Sequence, residues 1–536
     1  MVRMQNSAIT RRGLAGLLAL GALPEAASAQ PHAAAKTVLT IATATTPSSA
    51  DPHFYAFQPN FNLALHVFSR LVERDARLRP IPGLALSWAP VEDRIWEFRL
   101  RPGVKWHDGR DFTADDVAFT IGRIPTVAGS PGSLAGYVRP ITRVEVVDPL
   151  TVRLHTAGPH PSLPNDLTFV AIVSRHAGEG ATTEDYNSRR AAIGTGPYKL
   201  AAFQPGSTVE LTRNEAYFGG AEPWERVVFR IIPQAGARSA ALLAGDVDLI
   251  DEVSSNDAQA LARDSRVQVV ETQSTRLTFM QPGFARAGEL PDITDADGKP
   301  LPKNPLLDLR VRQALSLGID RAALVERVME GRGTPSGQWL PAGFYSANPA
   351  VGVPRFDPEA ARRLLAEAGF PRGFRLVVHT PTDRFANDSR IAQAVAQMWT
   401  RIGVATVVDA LPYAAFSARA SRQEYGVWLH SWASSTGEAS YFLSNVVSTV
   451  DRAKRAGANN WSLYSNPALD ALTERSFTLL EPAAREKVLQ EAVQLVADDL
   501  PIIPLFHLSL VWGLRPGLRF EPNMSGYTAA TMVRPG

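Results

Sequence analysis

His155 and His160 are the closest pair among the ten histidines of this 536-residue chain. They flank a proline-containing turn, so they cannot share one helix face as a zinc-protease pair would. The chain has neither a G-x-S-x-G elbow nor a P-loop. Gly194-Thr195-Gly196-Pro197-Tyr198 has two of the glycines of a phosphate loop but lacks the lysine, the third glycine and a following helix. It reads as a tight turn into a strand. Asp115 and Asp116 are adjacent carboxylates. Neighbouring helical residues face different directions, so the pair suits the start of a helix better than paired acid–base chemistry. With no cysteine in the chain there is no disulfide, thiolate metal site or thiol nucleophile. No catalytic, metal or cofactor site emerges; the residues point to binding.

Two segments carry the groups a ligand cleft needs, aromatic walls with a few polar atoms. Asp51 to Phe57 holds Phe54, Tyr55 and Phe57 just after the first strand. Trp428, Trp432, Tyr441 and Phe442 bracket a hydroxyl-rich run from Ser431 to Ser440 that contains Ser434, Ser435, Thr436 and Glu438. Core packing is the competing use of each of these aromatics.

The elements around them alternate in type. Val38 to Ala44 reads as a strand, and Phe61 to Val72 has apolar residues at helical spacing. Trp96, Phe98 and Leu100 alternate with charged residues as in a half-exposed strand. Thr113 to Asp116 resembles a capping box opening a helix to Arg123. Strands are expected at Arg143–Val147 and Thr151–His155, and a loop from Gly158 to Pro164. In the second half, Asp308, Asp320 and Asp357-Pro358 are helix starts, and Gly318, Gly369 and Gly403 are stops. A helix from Ser389 to Ile402 lies among strands at Phe374–His379, Ala405–Val408 and Gly426–His430. This alternation predicts an α/β protein with mixed sheets.

The length exceeds what one hydrophobic core serves, so more than one lobe is expected. Lysine and arginine number 55 against 53 acidic residues. That balance offers no basic face for nucleic acid. Residues 1–29 read as an export signal: Arg3, Arg11 and Arg12, an apolar stretch from Gly13 to Leu23, and Ala27-Ser28-Ala29 before Gln30. Thr10-Arg11-Arg12-Gly13-Leu14 also resembles a twin-arginine signal, and an ordinary signal holding two arginines remains the alternative. Without a cysteine there is no lipid anchor, so a freely soluble periplasmic product is expected.

The stretch Trp96-Glu97-Phe98-Arg99-Leu100-Arg101-Pro102-Gly103-Val104-Lys105-Trp106-His107-Asp108-Gly109, continuing through Phe112-Thr113-Ala114-Asp115-Asp116-Val117, resembles a family signature. The family is the extracellular solute-binding proteins of family 5, the dipeptide-, oligopeptide- and nickel-binding group. Further blocks follow in its order: Phe68 to Leu71, Gly194 to Tyr198, Leu309 to Leu324, Phe356 to Gly369, and Leu500 to Leu505. The resemblance covers nearly all of the chain beyond the signal.

It implies the two-lobed fold of the large, cluster C periplasmic binding proteins. Lobe I would comprise residues 37–73, 193–283 and 503–536, with an extra subdomain at 74–192, and lobe II residues 284–502. Crossings near Thr278–Gly283 and Pro501–Phe506 would form the hinge. The implied role is the capture of a small peptide or peptide-like solute by a monomer serving an ABC permease and its ATPase. Relatives that carry nickel, haem, opines or oligosaccharides keep other solutes open, and a periplasmic hydrolase is the rival from another class. In dipeptide binders an arginine ahead of an aromatic-asparagine segment pairs with the ligand carboxylate; Arg384, before Phe385-Ala386-Asn387, stands at that place. The acid that would hold the ligand amine after Trp432 is replaced by Ser435, with Ser434, Thr436 and Glu438 around it. That run resembles glutathione-binding relatives.

Overall fold

The structure, a computed structural model, describes residues 37–285 and 292–536. The export signal expected at residues 1–29 lies outside the described residues.

Among the described residues the largest sheet has twelve strands. Its main path runs Ile293–Asp295, Phe374–Pro381, Val427–Ala433, Gln268–Pro282, Ile503–Leu514, Leu249–Ile250, Val38–Thr43, Arg226–Ile231, Thr208–Arg213 and Tyr198–Gln204. Val38–Thr43 is parallel to both of its neighbours, whereas the two long central strands are antiparallel. The sheet is therefore mixed, as the alternation of elements predicts. Strands from residues 293–433 fill one side and strands from residues 38–250 the other. Gln268–Pro282 and Ile503–Leu514 are the members common to both.

Each side has its own core. Met280, Ile319, Trp399, Val427 and Leu505 belong to one, and Ile41, Val67, Leu211, Trp224 and Trp512 to the other. A separate four-strand sheet, Ala85–Glu92, Ile95–Leu100, Thr151–Thr156 and Ile141–Asp148, covers a third core around Phe98, Trp106, Val117 and Leu154. A fourth, around Phe279, Trp339, Phe442 and Leu489, lies against the helix Pro482–Asp499.

The punctuation of the second half works as read. Asp308, Asp320 and Asp357 each accept a first-turn N–H at 2.9 Å, and Gly369 and Gly403 take φ of +93° and +104° where L residues are strained. The helix expected over Phe61–Val72 instead spans Gln58–Val67. Phe68 is extended, and the Val67 carbonyl accepts the Gly196 N–H at 3.0 Å. Leu71 and Val72 are buried in the third core, Val72 in the strand Val72–Arg74. The loop expected over Gly158–Pro164 ends two residues early, where Leu163–Leu167 is helical.

Gly194 and Gly196 explain why a glycine pair stands at that turn. A Cβ on Gly194 would lie 1.7 Å from the Val67 carbonyl oxygen, and one on Gly196 2.5 Å from that of His66. His107 locks the same turn. Its Nδ1 accepts the Gly194 N–H at 3.2 Å, so its Nε2–H donates to the Gly196 carbonyl at 3.0 Å. Burial is the main reason its pKa falls to about 4. The signature stretch is thus a folding device that ties the small sheet to the core around Ile41 and Val67.

Candidate ligand-binding cleft

A cleft of about 640 Å³ opens between the two sides of the main sheet, within the range of small-molecule sites. Its walls come from separate parts of the chain. The loop ahead of the first helix gives Ala56 and Gln58, and the region of the small sheet gives Arg74, Tyr137 and Phe169. The central strands give Ser274, Thr275, Arg276 and residues 508–512. The far side gives Arg384, Phe385 and residues 433–435, and residues 524–527 close one end. Tyr137 stacks on Phe169 at 4.6 Å, and the Arg74 guanidinium lies 4.1 Å over the Phe169 ring.

Charge in the cleft is segregated. Arg74, Arg276 and Arg384 line it, and so do Asp251 and Glu252. Arg74 is occupied, donating to the Ser435 carbonyl. Arg276 and Arg384 pair with no carboxylate among the described residues. The Arg384 guanidinium stacks 4.7 Å from the Tyr413 ring centre. Burial lowers the Arg276 pKa, and the charge on Arg384 lowers it further. His430, behind this wall, is held neutral by burial and by both arginines, its pKa falling to about 3. Asp251 is the reverse case. Burial, reinforced by Glu252 and opposed by Arg238, raises its pKa to about 7.

Of the residues singled out in sequence, Arg384, Ser434 and Ser435 line the cleft together. Ser434 Oγ holds its own turn, accepting the Gly437 N–H at 3.1 Å and donating to the Glu438 carbonyl. Tyr55 and Phe57 are stacked at 5.0 Å, Tyr55 lies over Gly132, and Phe57 lines an adjoining cavity of about 120 Å³. Extended chain alternates its sides, so Ala56 and Gln58 face the cleft where their neighbours do not. Trp432 packs on Tyr441 and His430, and the next residue, Ala433, reaches the cleft. Asn387 sits at φ +60° with its amide on the Val328 carbonyl. Thr436 is outside the lining. Glu438 is buried, 1% exposed, and its two oxygens take both nitrogens of Arg485 at 2.6 and 2.7 Å. Its charge is committed to that pair and does not face the cleft.

Arg74, Arg276, Asp251 and Glu252 are the charged cleft residues that sequence reasoning passes over. Nothing in the sequence marks Arg276, which continues the polar run Glu271 to Thr275 in the outer half of its strand. A larger cavity, about 770 Å³, lies at the small-sheet region against residues 118–128 and 178–184. It draws on that region alone, and its arginine, Arg123, is spent on Asp51 at 2.7 Å.

The family model for bacterial extracellular solute-binding proteins, family 5 Middle, matches residues 79–454. Heme-binding protein A of Haemophilus influenzae is 29% identical over 86% of this chain and 84% of its own. The dipeptide-binding protein of Escherichia coli is 25% identical over 92% and 93%. The solved structure of HbpA2 from Haemophilus parasuis superposes with a TM-score of 0.80 at 27% identity, over 93% of this chain and all of that one. With most of its length matched by the family model and its fold shared with two-lobed binding proteins, the chain belongs to the bacterial extracellular solute-binding proteins of family 5.

Proposed function

We propose that this protein is the periplasmic capture subunit of an ABC importer and that it holds a small peptide or peptide-like solute in the cleft, a ligand carboxylate resting on Arg384. The observation that carries this reading is Arg384 itself, a guanidinium without a carboxylate partner among the described residues, lining a cleft built from both sides of the sheet. A guanidinium suits a carboxylate because it offers two parallel N–H donors. Relatives named for dipeptide and di/tripeptide binding support the solute class.

On this reading lobe I comprises residues 37–73, 193–283 and 503–536, with the subdomain 74–192, and lobe II residues 284–502. A solute touching both lobes favours the closed state, because only there does it make all its contacts. The closed monomer delivers its solute to a membrane permease, and a separate ATPase subunit drives transport. No helix among the described residues is long and apolar enough to cross a membrane. Residues 1–29 direct export.

Calorimetry with dialanine, N-acetyl-dialanine and glutathione tests the reading. A charge-assisted hydrogen bond contributes about 1.5–3 kcal/mol, so Arg384→Ala weakens binding roughly 10- to 150-fold, and Arg384→Lys recovers only part of the loss. Equal affinity in wild type and Arg384→Ala removes the proposed carboxylate contact. Binding of none of the three peptides, with a sugar or metal chelate bound instead, removes the peptide reading.

A further inference from the structure

The two central strands part company inside the cleft. Gln273 of Gln268–Pro282 faces Ser509, and the next register pair is Leu277 with His507. Ser274, Thr275 and Arg276 therefore lie opposite Leu508 alone, a bulge of the kind that redirects side chains. The bulge is fastened on both sides. Ser274 Oγ donates to the Leu508 carbonyl at 2.7 Å, and Thr275 Oγ1 donates to the Ser434 carbonyl at 2.8 Å. Arg276, the third residue, is opposite Ala433 on the neighbouring strand and lines the cleft. Arg384 lines the same cleft from the loop before the helix Asp388–Arg401.

Arg276 and Arg384 line one cavity, neither is paired with a protein carboxylate among the described residues, and they repel each other; Arg276, the half-buried one, also loses hydration. Each depresses the proton affinity of buried His430, and Arg384 depresses that of Arg276. Such a pair is costly unless an anion offsets it. One carboxylate satisfies one planar fork, and the second guanidinium calls for a second anion.

We propose that Arg276, presented by the bulge, is a second anion-binding group beside Arg384 and that the cleft selects solutes carrying two carboxylates. This rests on the peptide-like reading above and narrows it to a substrate class: acidic peptides or peptide-like dicarboxylates. Because Arg276 lies on a strand shared by both sides of the sheet, the second carboxylate engages the crossing itself.

Two matched pairs of probes separate the second carboxylate from everything else in the ligand. Alanyl-glutamate and alanyl-glutamine are nearly isosteric, and glutathione and its glycine monoethyl ester differ at one carboxylate. Calorimetry on the wild type should show a preference of about tenfold or more for the dicarboxylate in each pair. Arg276→Gln should bring that ratio below about threefold, and Arg276→Lys should restore part of it. Arg384→Ala should weaken both members of each pair. Thermal unfolding of each variant reports whether the fold is kept. Equal wild-type affinities within both pairs, or a preference that survives Arg276→Gln, would overturn the second subsite and leave the peptide reading standing. Binding of none of the four overturns that reading and this inference with it.

Discussion

Arg384 and Arg485 carry the same guanidinium and meet opposite fates. Arg485 is 3% exposed and grips Glu438 with both terminal nitrogens, whereas Arg384 faces the cleft with only an aromatic ring beneath it. Residue type and spacing are the same kind of information for both, and burial decides between them. Asp251 is the residue whose charge state carries the clearest consequence for stability. Its folded pKa of about 7 lies above the ordinary 3.8 because it is buried beside Glu252, with Arg238 opposing only in part. A raised carboxyl pKa stabilises the folded state fully below the unfolded value, and that contribution is lost as pH rises through the folded one. Stability from this group should therefore fall between about pH 4 and pH 7 and stay flat above. Asp251→Asn keeps the acceptor for the Ala44 N–H, now at 3.0 Å, without the charge. It should match wild type near pH 4, exceed it at pH 8 and flatten the intervening slope in denaturant unfolding. An unchanged slope would mean that Asp251 is already ionised across this range. At this scale the sequence is legible in part. Arg384 and Ser435 stand beside recognisable residues and line the cleft, whereas nothing in the sequence reveals Arg485 behind Glu438. Arg276 goes unseen because its exposure depends on a strand bulge.

Short elements are most legible in the sequence where a single side chain closes a backbone group. Asp308, Asp320 and Asp357 show this at helix starts, as do Thr113 and Asp116, whose carboxylate accepts the Thr113 N–H at 3.0 Å. The apolar periodicity runs past the end of the helix Gln58–Val67 because its stop is supplied from outside. The Gly194–Tyr198 turn docks on its last carbonyl, and apolar periodicity continues past that point for the sake of a different core. This docking makes a sharp prediction. Gly194→Ala places a methyl 1.7 Å from the Val67 carbonyl oxygen, so either the turn or the helix end must move. The loss should be about 3 kcal/mol or more, read as a lower denaturation midpoint. Gly180→Ala has open space around its Cβ but φ of +70°, so its loss should be about 1 kcal/mol. A loss at Gly194 no larger than that at Gly180 would show that the close approach to Val67 adds no penalty.

At the scale of the whole molecule, two long strands serve both sides of one sheet, and the small-sheet region touches residues 435–439. Arg74 donates to the Ser435 carbonyl, and Asn165 reaches Glu438 at 3.4 Å. Leu78, 3% exposed at φ +63°, packs into the core that holds Phe344 and Ala439. A leucine at that φ is strained, so its burial there offsets a local cost. These are contacts that closure would complete and opening would break. The α/β class was legible from alternation, but the sheet order was not, because pairing between residues more than 200 positions apart leaves no local pattern. The measurement that bears most directly on capture by closure is small-angle scattering of the exported chain with and without saturating glutathione. The radius of gyration should fall on saturation, and ligand at 100 times its dissociation constant should add about 2.7 kcal/mol of stability. A saturated protein whose radius of gyration is unchanged would contradict a closing, solute-capturing cleft.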